Sequence, residues 1–178
     1  MLSSEEFEKK CELCKAMFIK PLQLIEDIGE RTEIDFVQIA LTTLLGIAIG
    51  LITSGASGLG SLIGVPIGIF LGGAILLLIS LIAGGHTDYV HLVNFASYLA
   101  LLGVLASLFH RVPFVSRGAE LLASLYGIYL VYIGLPILVE AKKEVMKIIA
   151  IVLVVFSGFG FIVHFVWKLG WAFLRFIL

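Results

Sequence analysis

The chain is poor in most of what a soluble domain or an enzyme relies on. Between Asp35 and Asp88 there is no Lys, Arg, Asp or Glu. No ionisable residue lies in the middle of a long apolar run, which argues against proton-coupled pumping, since that machinery keeps titratable groups at membrane depth. A net charge of −1 without a basic stripe excludes a nucleic-acid partner. The two cysteines, Cys11 and Cys14, form a lone C-x-x-C. No second pair follows and the first histidine is His86, so a zinc or redox centre lacks its ligands. They read as two small apolar residues of an amphipathic helix. There is no nucleophile–base pair, phosphate-cradling loop or pair of catalytic carboxylates, so neither enzymatic activity nor a cofactor is expected.

What is present is apolar sequence. Hydrophobic residues make up 60% of the 178, and the mean hydropathy is +1.12. Soluble domains are nearer ~45–50% apolar. Five runs have the ~20-residue length of a membrane-crossing helix: 36–53, 62–83, 90–109, 118–139 and 145–166. The fold class expected is therefore all-α integral membrane, a five-transmembrane-helix bundle with an N-terminal amphipathic cytoplasmic helix. Residues 1–35 form that cytoplasmic or interfacial segment, and residues 36–178 the membrane domain.

The first 35 residues carry nine acids and five bases, unlike a signal peptide, so insertion is expected to rely on the first internal span. Ser3 or Ser4 can cap a first helix whose apolar stripe is Phe7, Cys11, Cys14 and Phe18, widened by Leu13 and Met17. Its other face mixes acids with bases, which favours docking on the bundle over anionic lipid. Pro21 stops that helix and suits the first turn of the next. Thr32 to Asp35 resembles a capping box leading into the first span.

Gly60, Gly64, Gly68 and Gly72 recur every fourth residue in span two, a ladder about 18 Å long. Such a ladder weakens a helix in water, whereas in lipid it permits close helix–helix approach. Gly46 and Gly50 give span one the same spacing. These six residues are the expected helix-packing set, and the short uncharged connection from Ser54 to Ser61 implies a tight hairpin. Eight of the 12 Lys and Arg fall on the side of the N-terminus, which predicts a cytoplasmic N-terminus and an outside or lumenal C-terminus. In a prokaryote the membrane would be the cell membrane.

Two polar groupings stand out. Asn94, Ser97 and Tyr98 of span three and Tyr126, Tyr129 and Tyr132 of span four need partners at membrane depth, and are expected to face one another as a polar pocket or as interhelical hydrogen bonds. His110, Arg111, Arg117, Glu120, His164 and Lys168 should gather near one interface, with Glu120 paired to Arg117 or Lys168. His86, Asp88 and His91 have the residue types of a metal site, but a hydrated turn is the simpler reading and no metal is expected.

Gly84-Gly85, Phe95 to Tyr98, Pro113, the run Tyr126 to Leu135 and Lys143 entering a final apolar span resemble the Yip1-domain family. Phe18 to Leu24 is similar to the short proline-containing helix that precedes the first span in its prokaryotic members. The likeness covers most of the chain from about residue 15. Two departures limit it: no proline follows Tyr98 within a few residues, and the Asp-Leu-Tyr-Gly-Pro motif of eukaryotic members is missing. The resemblance implies a polytopic protein whose eukaryotic relatives associate with Rab-type GTPases and with each other. The Rab partner is not carried over, because this N-terminal segment is of the prokaryotic kind. The function expected is a scaffold or adaptor whose partners are the bilayer and itself or another integral membrane protein. A small transporter or channel subunit using the polar pocket is the alternative.

Overall fold

The computed structural model describes residues 4–110 and 112–177. The side chains of residues 4–7, 9–11, 56–57, 113–114, 164–165 and 167–177 lie outside that description. Among the described residues there are seven α-helices and no strand: α1 (Ser4–Ile19), α2 (Pro21–Gly29), α3 (Phe36–Ser54), α4 (Ser61–Ile82), α5 (Tyr89–Ala106), α6 (Pro113–Leu138) and α7 (Lys143–Ile177). Short 3-10 turns, Gly55–Gly60 and Ser107–Phe109, extend α3 and α5. Helices α3 to α7 supply the five spans, each long and apolar enough to cross a membrane.

The ends of the elements follow local chemistry. Asp35, rather than Thr32, caps α3: its side chain accepts a hydrogen bond from the Gln38 amide. Asp88 caps α5 in the same way, accepting from the Val90 and His91 amides. Helix α6 begins at Pro113, five residues before the expected start of span four, because proline at the first helical position already has the right φ and needs no amide partner. Helix α7 runs through Gly158 and Gly160 and on to Ile177, beyond the expected end of span five. Pro66 and Pro136 lie inside α4 and α6, where each removes one amide donor to the carbonyl four residues back.

Helix α5 is the centre. It packs against α2, α3, α4 and α6, and 61% of its span is buried, against 17% for α4 and 6% for α7. Helix α7 leans on α6 alone among the helices with substantial contact. The core includes Ile39, Ile69, Leu76, Leu92, Phe95, Tyr98, Leu130 and Leu135. It also includes Met17, Leu24, Ile25 and Ile28, none of which has any exposed surface. Residues 17–28 therefore belong to the same packed body as the spans. The buried side of α1 is Leu13 and Met17, with Cys14 half-buried, while Phe18 is exposed. Of the stripe expected there, Phe7 and Cys11 lie outside the described side chains.

Helix α2 runs beside the second half of α6. Phe18 stacks on Tyr126, with ring centroids 5.9 Å apart, and the Tyr126 hydroxyl donates to the Met17 carbonyl. At the other end, Gly29 faces Leu138. Tyr126 and Leu138 are twelve residues apart, about 18 Å along a helix. The last residues of α1 and helix α2 together thus cover half the height of the bundle, from its middle to the end that carries the 83–88 and 139–142 turns. That end is called proximal here, and the end with the 55–60 and 107–112 turns distal.

The two proximal turns are tied together. The His86 amide donates to the Val139 carbonyl at 2.7 Å, and the Lys142 amide to Ala83 at 3.1 Å. Ser80 Oγ donates to the His86 carbonyl at 3.0 Å. Gly84 has φ +70° and Glu140 φ 55°, so both turns pass through the left-handed region. A Cβ on Gly85 would meet the Val139 oxygen at 2.6 Å, so only glycine allows this approach.

Candidate functional site

Residues 30–35 link α2 to α3 and carry the most concentrated polar chemistry of the described residues. Arg31 is four residues from both Asp27 and Asp35, and its guanidinium pairs with both carboxylates. Its Nε also donates to Asp27 Oδ2 at 3.1 Å. The guanidinium lies 5.9 Å from the ring centroid of Tyr98, and its Nη2 donates to the Tyr98 hydroxyl at 3.4 Å. Burial opposes the charge on Arg31, but Tyr98 and Asp27 outweigh it and push the guanidinium above its ordinary range. The group is permanently charged, and one cation serves two anions.

The backbone of the same segment is held by α5. Asn94 Oδ1 accepts from the Asp35 amide at 2.7 Å, and Asn94 Nδ2 donates to the Glu33 carbonyl at 2.9 Å. Ser97 Oγ donates to the Asn94 carbonyl at 2.6 Å. Asn94, Ser97 and Tyr98 have no exposed surface. Together these contacts form a polar lock that fixes the entry to the first span on the central helix. Beyond it, α3 buries Gln38 and Thr42, where Gln38 Nε2 donates to Thr42 Oγ1 at 3.4 Å and Gln38 Oε1 has no partner among the described residues.

The polar residues expected to face one another between spans three and four take other partners or lie exposed. Asn94 and Ser97 serve the 33–35 segment and their own helix, and Tyr98 serves Arg31. Tyr126 serves Met17, and Tyr129 and Tyr132 are on the exposed side. The reason is geometric. A step of three residues falls about 60° short of a full turn, so Tyr129 and Tyr132 rotate progressively away from Tyr126. Where spans three and four do meet, Phe95 lies over Gly134, and a Cβ added to Gly134 would be only 2.8 Å from the phenyl ring.

The glycine set divides. Gly46 faces Val65, Ser61 and Val104, Gly50 faces Gly58 at backbone distance, and Gly72 faces Ala96. At Gly60, Gly64 and Gly68 an added Cβ would meet nothing within 4 Å. The expected groove between spans one and two is thus lined by Gly46, Gly50 and Gly58, and three rungs of the ladder point elsewhere. The contact of α4 with α5 uses Gly73 instead, where a Cβ would be 2.7 Å from Val93 Cγ2. A four-residue step overshoots a full turn by about 40°, so rungs 60, 64 and 68 drift off the face that Ile69, Gly73, Leu76 and Ser80 bury. Gly58 continues the four-residue spacing of Gly46 and Gly50, whereas Gly73, Gly85 and Gly134 follow no common spacing and were not in the expected packing set.

The interfacial cluster is only partly assembled. Arg117 Nη1 pairs with Glu120 Oε2 at 2.7 Å, and Ser116 Oγ donates to Glu120 Oε1 at 3.1 Å. His110 is on the wall of a distal cavity of about 430 Å³ between α3, α4 and α5. Arg111 and the side chains of His164 and Lys168 lie outside the described residues. At the proximal end, His86 turns to Glu140 at 3.0 Å, and His91 Nδ1 is 3.0 Å from Asp88 Oδ2, whose carboxylate is occupied in capping. No metal-ligating group of three forms among the described residues.

Five apolar spans with α5 buried at the centre, and an N-terminal helix built into the core, accompany a match to the Yip1 domain over residues 16–165. The chain belongs to the Yip1 domain family. The match begins inside α1 and so includes α2, Arg31 and the whole polar lock of this Yip1 domain. No curated protein and no solved structure matches the chain significantly. Within the stretches that carry the resemblance, Phe95 and Gly134 meet where α5 packs on α6, and Phe95, Tyr98, Leu130 and Leu135 are in the core.

Proposed function

We propose that this Yip1 domain is a membrane scaffold that acts through helix–helix association, with the open glycine face of α4 as its contact surface and a second copy of the chain as its partner. The observation that carries the reading is the open space beside Gly60, Gly64 and Gly68 on a helix whose span is only 17% buried. In lipid, small residues at four-residue spacing favour close backbone approach, and a face of this kind is self-complementary about a two-fold axis. The proximal end is assigned to the cytoplasm, because eight of the 12 Lys and Arg belong to the N-terminal segment, the 139–142 turn and the first residues of α7.

Cysteine cross-linking in native membranes tests the surface. In a background with Cys11 and Cys14 replaced by serine, Gly64→Cys and Gly68→Cys are expected to give cross-linked dimers. Gly118→Cys, equally open but on α6, should not. Equal cross-linking at all three positions, or none at 64 and 68, contradicts the proposal. The transporter alternative required a pocket between spans three and four, and its six residues have other partners or are exposed.

A further inference from the structure

Helix α2 presents a polar surface at a height where other helices of the bundle present an apolar one. Leu22, Gln23, Glu26 and Glu30 are exposed and fall within an arc of about 100° on the outward side of α2. Lys20, at the break between α1 and α2, is exposed as well. Contacts at both ends set their height. Phe18 stacks on Tyr126, halfway along α6, and Gly29 faces Leu138 at the proximal end of α6. Gln23 is six residues from Gly29 and so lies about 9 Å below that end. The link after α2 is deep too. Asn94 holds the Glu33 carbonyl, and its neighbour Val93 packs on Gly73, nine residues or about 13 Å from the last residue of α4. Glu33 is exposed.

Elsewhere the apolar surface reaches higher. The Ala83 carbonyl accepts from the Lys142 amide, so α4 ends and α7 begins at one level, close to Leu138. Below that level α4 exposes Ile75, Leu78 and Ile82, and α7 exposes Ile148 and Ile151. Lys147 stands one turn below Lys143, and its long stem carries the ammonium up to the headgroups. Acyl chains can cover these helices up to the proximal end. They cannot cover α2 at the same depth, because a carboxylate or amide turned to hydrocarbon loses its water and gains no partner. The tyrosines mark the same boundary. Tyr129 lies 5.9 Å from Tyr126, ring to ring, and Tyr129 and Tyr132 are exposed. Tyrosine gathers where the ring is dry and the hydroxyl wet, and here that level begins at mid-height of α6.

We propose that the headgroup layer of the proximal leaflet is drawn down beside α2 to about the level of the Phe18–Tyr126 pair, while beside α4 and α7 it stays at the ends of the spans. The outward side of α2 is an interaction surface for zwitterionic phospholipid. Glu26, Glu30 and Glu33 against Lys20 leave it net acidic, which repels anionic headgroups and suits headgroups that carry an ammonium. The bundle thereby imposes a step on one leaflet, and the step does not depend on the glycine face of α4.

Nitroxide labels read this environment directly. In the full chain with Cys11 and Cys14 replaced by serine, labels are placed at Gln23→Cys and Ile148→Cys. Both positions are exposed and lie about 9 Å below the proximal end, Ile148 being six residues from Lys142. The protein is reconstituted in phosphatidylcholine vesicles, and relaxation of each label by a water-soluble nickel chelate is compared with relaxation by molecular oxygen. The nickel-to-oxygen ratio is expected to be at least about fivefold higher at Gln23 than at Ile148, since a polar solute is excluded from hydrocarbon. Glu26→Cys repeats the reading if Gln23→Cys does not fold. Vesicles that carry the nickel chelate on a lipid headgroup identify the source. Relaxation at Gln23 by both forms of nickel supports the lowered headgroup layer. Relaxation by the soluble form alone would mean a water-filled cleft without lipid and would overturn the proposal. Oxygen-dominated relaxation at Gln23, equal to that at Ile148, would place acyl chains there, and shielding from both relaxers would place protein there. Either result overturns it.

Discussion

Arg31 shows how one residue can decide the placement of a whole segment. Its guanidinium holds two carboxylates and lies on Tyr98, and its side chain is only 17% exposed. Replacing it by alanine leaves Asp27 and Asp35 facing one another beside a buried tyrosine. Breaking a buried pair by removing one partner costs about 3–5 kcal/mol, and residual exposure places this case at the lower end, about 3 kcal/mol. For a chain of this size that corresponds to a fall of about 6–12 °C in Tm. Arg31→Lys keeps the charge but loses the fork that reaches both carboxylates, so a fall of about half that size is expected. Thermal unfolding in detergent measures both, and a change under about 2 °C for Arg31→Ala contradicts the lock. Because the guanidinium is pushed above its ordinary range, its contribution is lost only at pH values above that range. It therefore gives no pH dependence near neutrality. Asn94→Leu strips partners from the Asp35 amide and the Glu33 carbonyl, with an expected cost of about 2 kcal/mol.

At the scale of the element, α4 carries two stripes that a single sequence pattern obscures. Gly60, Gly64, Gly68 and Gly72 advertise a four-residue period, yet the face that packs on α5 is Ile69, Gly73, Leu76 and Ser80, spaced four, three and four. That second spacing averages close to the about 3.6 residues per turn of an α-helix and is readable from sequence. The ladder is the more conspicuous pattern because it uses one residue type. The two glycine classes respond differently to substitution. Gly73→Leu must displace Val93, including its backbone, and is expected to destroy yield or lower Tm by more than about 5 °C. Gly68→Leu meets open space and should leave Tm and helicity unchanged in the monomer. Thermal melts and circular dichroism of both variants separate the classes, and equal destabilisation would contradict the assignment. The polar residues of α5 carried a similar ambiguity. That Asn94, Ser97 and Tyr98 need partners was legible. That the partners sit about 60 residues earlier, in the link before α3, was not, because a charged 27–35 segment reads as a solvated connection until its depth in the bundle is known.

For the whole molecule, span number was legible because the bilayer imposes length and apolarity on each helix, and both are properties of sequence. The N-terminal segment was harder. Leu24, Ile25 and Ile28 show an apolar side, but a half-height segment beside α6 is too short to register as a membrane element, and only its burial reveals it as core. The distal cavity was illegible for the complementary reason: it arises from glycine, serine and threonine on three helices, none of which is unusual alone. The account that joins these levels is a bundle closed around α5 and locked at its proximal entry. Along α4 it leaves one glycine face open.

The most direct test of that open face is native mass spectrometry of the protein extracted with its own lipid, beside a Gly64→Leu, Gly68→Leu double variant. The account predicts a defined dimer for the unaltered chain and a monomer of unchanged helicity for the variant. An unaltered chain that is monomeric, or a variant that keeps the dimer mass, would contradict it.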